Sequence, residues 1–485
     1  MLFWKLFFVL SEIEGWGSKC MDIQGLKAAL SHLDIEDHPA VLRKKSRDFY
    51  WFSPILKHEL DQVIGDLILS PKNEAELIET ISVAFQMDVS ITPRGAGTGN
   101  YGQAMPLSGG LVLNLLGLNE ISEPQLGSVV TGAGATFVEI DALTRSRSAQ
   151  ELRMFPSTYR TASIGGFVAG GSGGIGSIRW GGLRDLGNIT QARIVTVEAT
   201  PRILTLEGDD VLKIAHAYGT NGVITQVKMP LAPAYAWVEM IVAYDQFDQA
   251  CAFANDLGNQ DGILLKELAV MAAPIAHSYF AHHAKYVRHD QATVFLMVAE
   301  QSLAALVSFI ARRQGEVRFR SDRVSLDAAH GLPPLFECTW NHTTLFAHHI
   351  NPKLTYLQIL YPFPKHLETI LRIKNLLGNE ISDHIEFVRF DGHIGCMGIP
   401  LVVFTTEERI QELIKIYEDN DCIVFNPHRY TLEEGGMKRS DPEQLAFKRE
   451  NDPKGLLNPG KMVAWDNPEF NFNAERKYLF PGIKR

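Results

Sequence analysis

Between residues 67 and 235, short apolar runs alternate with stretches whose apolar positions recur every three to four residues. These are the spacings of buried strands and amphipathic helices. Residues 67–69, all aliphatic, predict a strand. Asn73 with Glu76 three residues later sets a helix N-terminus, because a short polar side chain there accepts the N–H of the first turn. Leu77, Ile81, Ala84 and Phe85 then share one helical face. Further strands are expected at 89–92, 111–115, 129–131, 192–198, 203–206 and 223–229, with one helix capped by Thr136 and Glu139 and another beginning at Asp209. Pro230 and Pro233 should close this unit, since proline has no N–H for a ladder.

After Trp237 the rhythm changes. Strands are predicted at 238–244, 263–268, 293–298, 355–360, 386–390 and 401–405, separated by helices at 247–257, 303–313, 367–377 and 407–418. That mixture predicts an α+β layer with helices on one sheet face, suited to covering a site on the first unit. At 485 residues the chain exceeds one ordinary core. The divisions read as 1–50, a lead-in; 51–235, the first domain; 236–449, a cap; and 450–485, a C-terminal segment.

Composition narrows the function classes. With 46 basic against 56 acidic residues the net charge is −10, which argues against nucleic acid, whose phosphates demand a surplus of Lys and Arg. Cys20, Cys251, Cys338, Cys396 and Cys422 are isolated and odd in number, so neither a disulfide framework nor a zinc site is expected and no metal is assigned. Residues 1–10 are apolar apart from Lys5, too short a run to span a bilayer. Met21 is a candidate start. A cytoplasmic chain without a transmembrane segment is expected, with secretion or peripheral membrane contact as the minority reading.

The strand at 89–92 leaves through Pro93-Arg94-Gly95-Ala96-Gly97-Thr98-Gly99-Asn100, followed by Gly102 and Gln103. A strand opening into a glycine-rich loop lets backbone N–H groups converge on an anion. Glycine, lacking a Cβ, lets the main chain touch a diphosphate directly. Arg94 adds a cation, and Thr98, Asn100 and Gln103 add neutral hydrogen-bonding groups. Alone, such a loop reads as flexible surface. A second stretch, from Pro156-Ser157-Thr158 through Thr161-Ala162-Ser163-Ile164-Gly165-Gly166 to Ala169-Gly170-Gly171-Ser172-Gly173-Gly174, is too rich in small residues to build a core by itself. It fits a backbone pressed on a large planar cofactor or, the plainer alternative, on another helix. Neither loop has the dinucleotide-binding spacing or a Gly-Lys-Ser/Thr ending, so NAD and ATP are excluded as readings.

The segments PRGAGTGNYGQAMPLSGGLVLNL (93–115) and FPSTYRTASIGGFVAGGSGGIGSIRWG (155–181) resemble the FAD domain of the vanillyl-alcohol oxidase and p-cresol methylhydroxylase superfamily. Residues 219–225, Gly-Thr-Asn-Gly-Val-Ile-Thr, resemble that domain's closing strand, and 452–461, DPKGLLNPGK, resemble the C-terminal signature of its glycolate oxidase and D-lactate dehydrogenase branch. The resemblance implies an α+β fold: a two-part FAD-binding domain of the p-cresol methylhydroxylase type with an α+β substrate cap. It implies that Pro93, Arg94, Gly95, Ala96, Gly97, Thr98, Gly99, Asn100 and Gln103 embrace the pyrophosphate of FAD. It places Pro156, Thr161, Ala162, Ser163, Gly165, Gly166, Ala169, Gly170, Gly171 and Gly173 along the ribityl chain and flavin. Gly222, Val223 and Ile224 would adjoin the adenine, and Asn458 would approach the flavin from the cap side.

Departures from that pattern shape the chemistry expected. Covalent relatives carry His where Thr98 stands, so FAD is expected to be non-covalent. The His-rich motif of the hydroxy-acid branch is reduced to His393 within Gly392-His393-Ile394-Gly395-Cys396-Met397, and its Glu-His-Gly motif to Glu433-Glu434-Gly435. The cap offers His342, beside Glu337 and Trp340, and the run Asn426-Pro427-His428-Arg429-Tyr430. The catalytic candidates are therefore His428 as proton acceptor, Arg429 for an anionic substrate group, the Tyr430 phenol, His393 and His342. The expected function is an FAD-dependent oxidase or dehydrogenase that oxidises a hydroxyl-bearing small molecule, a 2-hydroxy acid among the candidates, with an electron-acceptor protein or quinone as a further candidate partner. The alternatives are a C=C reductase of the sterol-reductase type and a non-catalytic electron-transfer subunit.

Overall fold

The computed structural model describes residues 21–324, 331–480 and 482–483; the apolar stretch at 1–10 and Cys20 lie outside them. The first sheet contains β1 (Ile35–Glu36), β2 (Leu67–Leu69), β3 (Ile91–Arg94) and β4 (Leu111–Asn114) in the order β1-β2-β4-β3. Strands β2, β3 and β4 run parallel, while β1 pairs antiparallel to β2. The lead-in segment is thus built into the sheet, and Leu26 and Leu30 enter the same core. The helix Glu74–Gln86 starts where Asn73 accepts the N–H of Glu76, and lays Leu77, Ile81 and Ala84 on the sheet, as the spacing predicts. Parallel strands need such a covering helix, which leaves the loops after their C-terminal ends free to build a site.

The second sheet holds β5 (Ser128–Gly132), β6 (Gln150–Leu152), β7 (Gln191–Val195), β8 (Ile203–Glu207) and β9 (Val223–Pro233), in the order β5-β9-β7-β8 with β6 at the far end of β9. The helix Phe137–Ser148 begins with a full capping box between Thr136 and Glu139. Strand β9 does not stop at Pro230. The pairing of β7 ends at Lys228, so beyond it β9 has a free edge that tolerates a residue without an N–H. Past that point β9 continues to Pro233 by pairing with β6. The helix expected from Asp209 is a 3₁₀ turn, Gly208–Lys213.

The cap strands are β10 (Trp237–Tyr244), β11 (Leu265–Met271), β12 (Ala292–Ala299), β13 (Glu316–Arg320), β14 (Leu354–Tyr356), β15 (Gln358–Leu360), β16 (Ile381–Ser382), β17 (His384–Phe390), β18 (His393–Gly398), β19 (Leu401–Val403) and β20 (Ile423–Phe425). Eight of them form one sheet, β13-β10-β12-β11-β17-β18-β15-β20, and β14, β19 and β16 form a small second one. The single strand expected at 355–360 is therefore two strands in different sheets. Helices Phe247–Gly258, Leu303–Arg312, His366–Leu377 and Glu407–Glu418 bury apolar residues in one core with this sheet.

Two connections bring later parts of the chain back to the first two sheets. The Lys266 ammonium, nearly fully buried, pairs with Glu151 at 2.6 Å, and Glu151 also accepts the Trp237 indole N–H. The C-terminal segment returns to the first sheet: Ile91 N–H donates to Leu456 O and Asn458 N–H to Ile91 O, adding residues 456–458 along the edge of β3. Among the described residues no helix is long and apolar enough to cross a membrane.

Candidate active site

The loop after β3 and the stretch around the helix Ile164–Gly170 meet to form one wall of a cleft whose other wall is the cap. The cleft encloses about 1600 Å³ of space open to solvent.

The glycine wall is tightly determined. Gly97 has φ +70°, and a Cβ there would collide with the guanidinium of Arg94. Arg94 is buried, with Nη2 donating to Ala96 O at 3.4 Å, while Nε and Nη1 have no partner. Unpaired donors of a buried cation are costly unless something accepts from them. A Cβ at Gly95 would run into Ser163 Oγ, which also accepts the Ala96 N–H at 3.4 Å, so the two loops touch each other. Within the second stretch the small residues divide their work. Gly165 packs on Ala133, where a Cβ would come within 2.5 Å of the alanine methyl, whereas Gly166 is exposed to the cleft. One side of this segment therefore packs on the turn after β5, and the other is open to the cleft.

Of the residues expected at the cofactor, Pro93, Arg94, Gly95, Ala96, Gly97, Thr98, Gly99, Asn100, Gln103, Pro156, Ala162, Ser163, Gly165, Gly166, Ala169, Gly170, Gly171, Gly173, Gly222 and Ile224 line the cleft. Thr161, Val223 and Asn458 do not. Thr161 turns outward, and Val223 faces the core between the first sheet and the helix Glu74–Gln86. Asn458 stands behind the first loop and pins it, donating from Nδ2 to Gln103 O at 2.9 Å and to Tyr218 O at 2.5 Å. Lys461 holds the same loop from below through Gly102 O.

The cap wall consists of Trp340, Asn341, His342 and Leu345 at the start of the helix Asn341–Ile350, Gln358 on β15, Met397 on β18, and Ile399. Trp340 occupies φ +52°, a region that a bulky residue enters only when its surroundings impose it. Glu386 imposes it, accepting the Trp340 N–H at 2.6 Å while also holding His384 Nε2 at 2.7 Å. Burial drives His384 down to about pKa 3, so its imidazole is neutral and Nε2 is the donor. A chain of neutral groups crosses between walls: Tyr101 Oη donates to Gln358, Gln358 to Asn341, and Asn100 to Tyr356 Oη.

The predicted histidines separate sharply. His342 lines the cleft, and its Nδ1 lies 3.1 Å from Glu337 O. A carbonyl only accepts, so Nδ1 carries the proton and Nε2 keeps a free lone pair. Burial lowers its pKa to about 4. His393 is exposed and stacked on Phe363 at 4.1 Å, away from the cleft lining. Arg429 also lies outside the lining, engaged by Glu407 at 2.9 Å and Glu59 at 3.7 Å. Tyr430 packs against Leu60 and Met105 with the Lys461 ammonium 5.1 Å from its ring. Among the described residues no three His, Cys, Asp or Glu side chains gather as a metal-ligand set.

His428 is fully buried behind the cleft. Its Nε2 donates to Tyr356 O at 3.1 Å and its Nδ1 accepts from Ser53 Oγ at 2.7 Å, so both nitrogens are occupied by structure. His428→Ala is expected to cost roughly 2–4 kcal/mol of stability at pH 7 through a cavity and lost hydrogen bonds. Burial places the folded pKa near 3, below the 6.5 of a free imidazole. The unfolded chain therefore binds the proton first, and the stability that neutral His428 contributes is complete above pH 6.5 and lost as pH falls toward 3. Urea melts should show the gap between parent and variant narrowing from pH 7 to pH 4. A gap that stays constant would contradict this assignment.

The sequence reading missed Asp48, Phe49, Phe52, Tyr101, Tyr218, Trp340, Asn341, Gln358 and Met397 in the lining. Trp340 and Asn341 stand next to the predicted His342, which was the available signal. Asp48 belongs to the lead-in, where nothing in the local pattern marks a site.

Comparison with known proteins agrees with this geometry. Residues 65–206 match the family model described as an FAD binding domain. Glycolate oxidase subunit GlcD of Bacillus subtilis (strain 168) is 25% identical over 206 residues, covering 40% of this chain and 43% of the relative. A D-lactate dehydrogenase of Archaeoglobus fulgidus is 27% identical over 178 residues, covering 34% and 39%. The chain thus spans less than half the length of these curated relatives. A solved structure of alkyldihydroxyacetonephosphate synthase superposes with a TM-score of 0.66 over 90% of this chain and 86% of that one, at 14% identity, which shows a common fold.

Proposed function

From the premise that this chain carries an FAD binding domain, we propose that it is an FAD-dependent oxidoreductase that removes hydride and a proton from a hydroxyl-bearing small molecule held between the glycine loops and the cap. The residues present fit the cofactor. The buried Arg94 guanidinium places a cation directly beneath the Gly97 backbone, and Gly97 and Gly166 leave backbone surface where any Cβ would intrude. Relatives named for glycolate and D-lactate support oxidation at a carbon bearing a hydroxyl.

When bound, FAD supplies the two-electron acceptor that takes hydride from the carbinol carbon. The chain supplies the rest. The lone pair on His342 Nε2 is the observation that carries the reading, because it offers a proton acceptor facing the cleft whose tautomer is fixed by Glu337 O. Proton acceptance there and loss of the C–H bond leave a carbonyl on the substrate. Asn341 and Gln358 orient the polar end, and Trp340, held by Glu386, walls off water. Flavin bleaching by alcohols under anaerobic conditions tests this. Turnover driven by NAD(P)H without any alcohol oxidation would instead favour reduction of a C=C bond.

Thr98 lines the cleft at the position where covalent relatives place their histidine, and a threonine hydroxyl does not form the histidyl link. Acid precipitation is therefore expected to release all FAD into the supernatant. Flavin fluorescence that stays with the denatured chain on a gel would refute non-covalent binding.

A further inference from the structure

The cap wall is electrically neutral. Its apolar surface comes from Trp340, Leu345, Met397 and Ile399, and its amides, Asn341 and Gln358, are partly engaged with each other. Among the described residues lining the cleft, the one Lys or Arg side chain is Arg94, on the opposite wall within the glycine loop. Cations close to the cap wall are already answered. Arg160, near the cleft mouth, pairs with Glu337 at 2.6 Å; Lys266 pairs with Glu151; and Arg429 pairs with Glu407 and Glu59. The one carboxyl in the lining is Asp48, whose Oδ2 is buried without a hydrogen-bond partner and whose charge is answered by the buried Lys461 and Arg94, so this group offers an incoming anion no free cation.

The geometry points to an uncharged substrate: an alcohol or vicinal diol carrying an apolar or aromatic body, and not a 2-hydroxy acid. This rests on the oxidoreductase reading above and narrows it. A carboxylate entering here would lose hydration without meeting a counter-charge, because Arg94, the lining's cation, stands on the opposite wall with its guanidinium packed against Gly97 and its Nε and Nη1 buried. Burying an unpaired charge is among the costliest changes a site can impose. A neutral hydroxymethyl group of nearly the same size loses only hydrogen bonds that Asn341 and Gln358 can return. The aromatic face of Trp340 and the side chains of Met397 and Leu345 suit an apolar body.

Matched pairs that differ only in charge test the inference. FAD-loaded protein is titrated anaerobically with lactate against 1,2-propanediol, each as both enantiomers, and with mandelate against 1-phenyl-1,2-ethanediol. The diols are expected to bleach the flavin at concentrations at least 100-fold below those needed for the acids, with the phenyl diol the better of the two. Bleaching by the acids at equal or lower concentration overturns the inference and leaves the oxidoreductase reading standing. Bleaching by neither pair overturns both. Leu345→Arg places a cation on the cap wall and should improve mandelate at least tenfold with FAD content unchanged. A variant that binds FAD fully yet gains nothing for mandelate also overturns the charge argument.

Discussion

Gly97→Val should purify as a folded but colourless protein. The effect has two parts that act in the same direction. At φ +70° a β-branched side chain is strained by about 1–2 kcal/mol before it touches anything. Its Cβ would also fall on the Arg94 guanidinium, so the arginine must leave its buried place against the loop backbone. Both the cradle and the cation are lost together, and FAD affinity is expected to fall by 100-fold or more, about 2.7 kcal/mol. The loop is half-exposed in the cleft, so the cores behind it keep their packing. The ratio of flavin to protein absorbance after purification is the measurement, with circular dichroism as the folding control. Gly166→Val is the comparison: a Cβ there meets only Ser163 Oγ, at 3.0 Å, so the backbone accepts it and loss of flavin reports crowding of the ligand alone. A Gly97→Val protein with a full flavin complement would show that this loop does not hold the cofactor.

The parts of the site made by backbone were legible in the sequence because close approach of main chain leaves its mark in composition. Gly97 is glycine because φ +70° and the Arg94 guanidinium leave no place for a Cβ, and Gly165 because Ala133 stands against it. Helix starts at Asn73 and Thr136 were legible for a similar reason: the cap is a contact three residues long. The cap wall was less so. Trp340, Gln358 and Met397 reach the cleft from three separate elements, and only the order of the large sheet brings them together. Residues 355–360 read as one strand since their apolar character is continuous, yet the chain changes sheets at Leu357, which is fully buried and leaves no polar break to signal the change. His428 misled for a physical reason. A polar cluster beside the C-terminal signature suggested chemistry, but buried polar groups must be satisfied wherever they occur, and Ser53 and Tyr356 satisfy this one inside the structure.

His342→Ala should slow anaerobic flavin reduction by a factor on the order of 100 or more, the usual range for losing a positioned proton acceptor. FAD content should not change, because His342 stands on the cap and the glycine loops keep all their contacts. The pH profile of the parent carries a second signature. Burial holds His342 near pKa 4, so the imidazole is unprotonated and competent across neutral pH. The reduction rate should stay flat from pH 8 to pH 5 as far as this group is concerned, and decline as pH falls through 4. In His342→Ala that acid limb should vanish along with most of the rate. His342→Gln separates chemistry from architecture, since a glutamine amide can still donate to Glu337 O and fill much of the same space but has no basic lone pair to take a proton. If proton acceptance at Nε2 is the role, the glutamine variant should be as slow as the alanine one while melting close to the parent temperature. Reduction at the parent rate in His342→Gln would leave His342 as a wall residue and move the search for the base to Tyr101 and Asp48, the other ionisable side chains of the lining nearest Gln358 and the glycine loop.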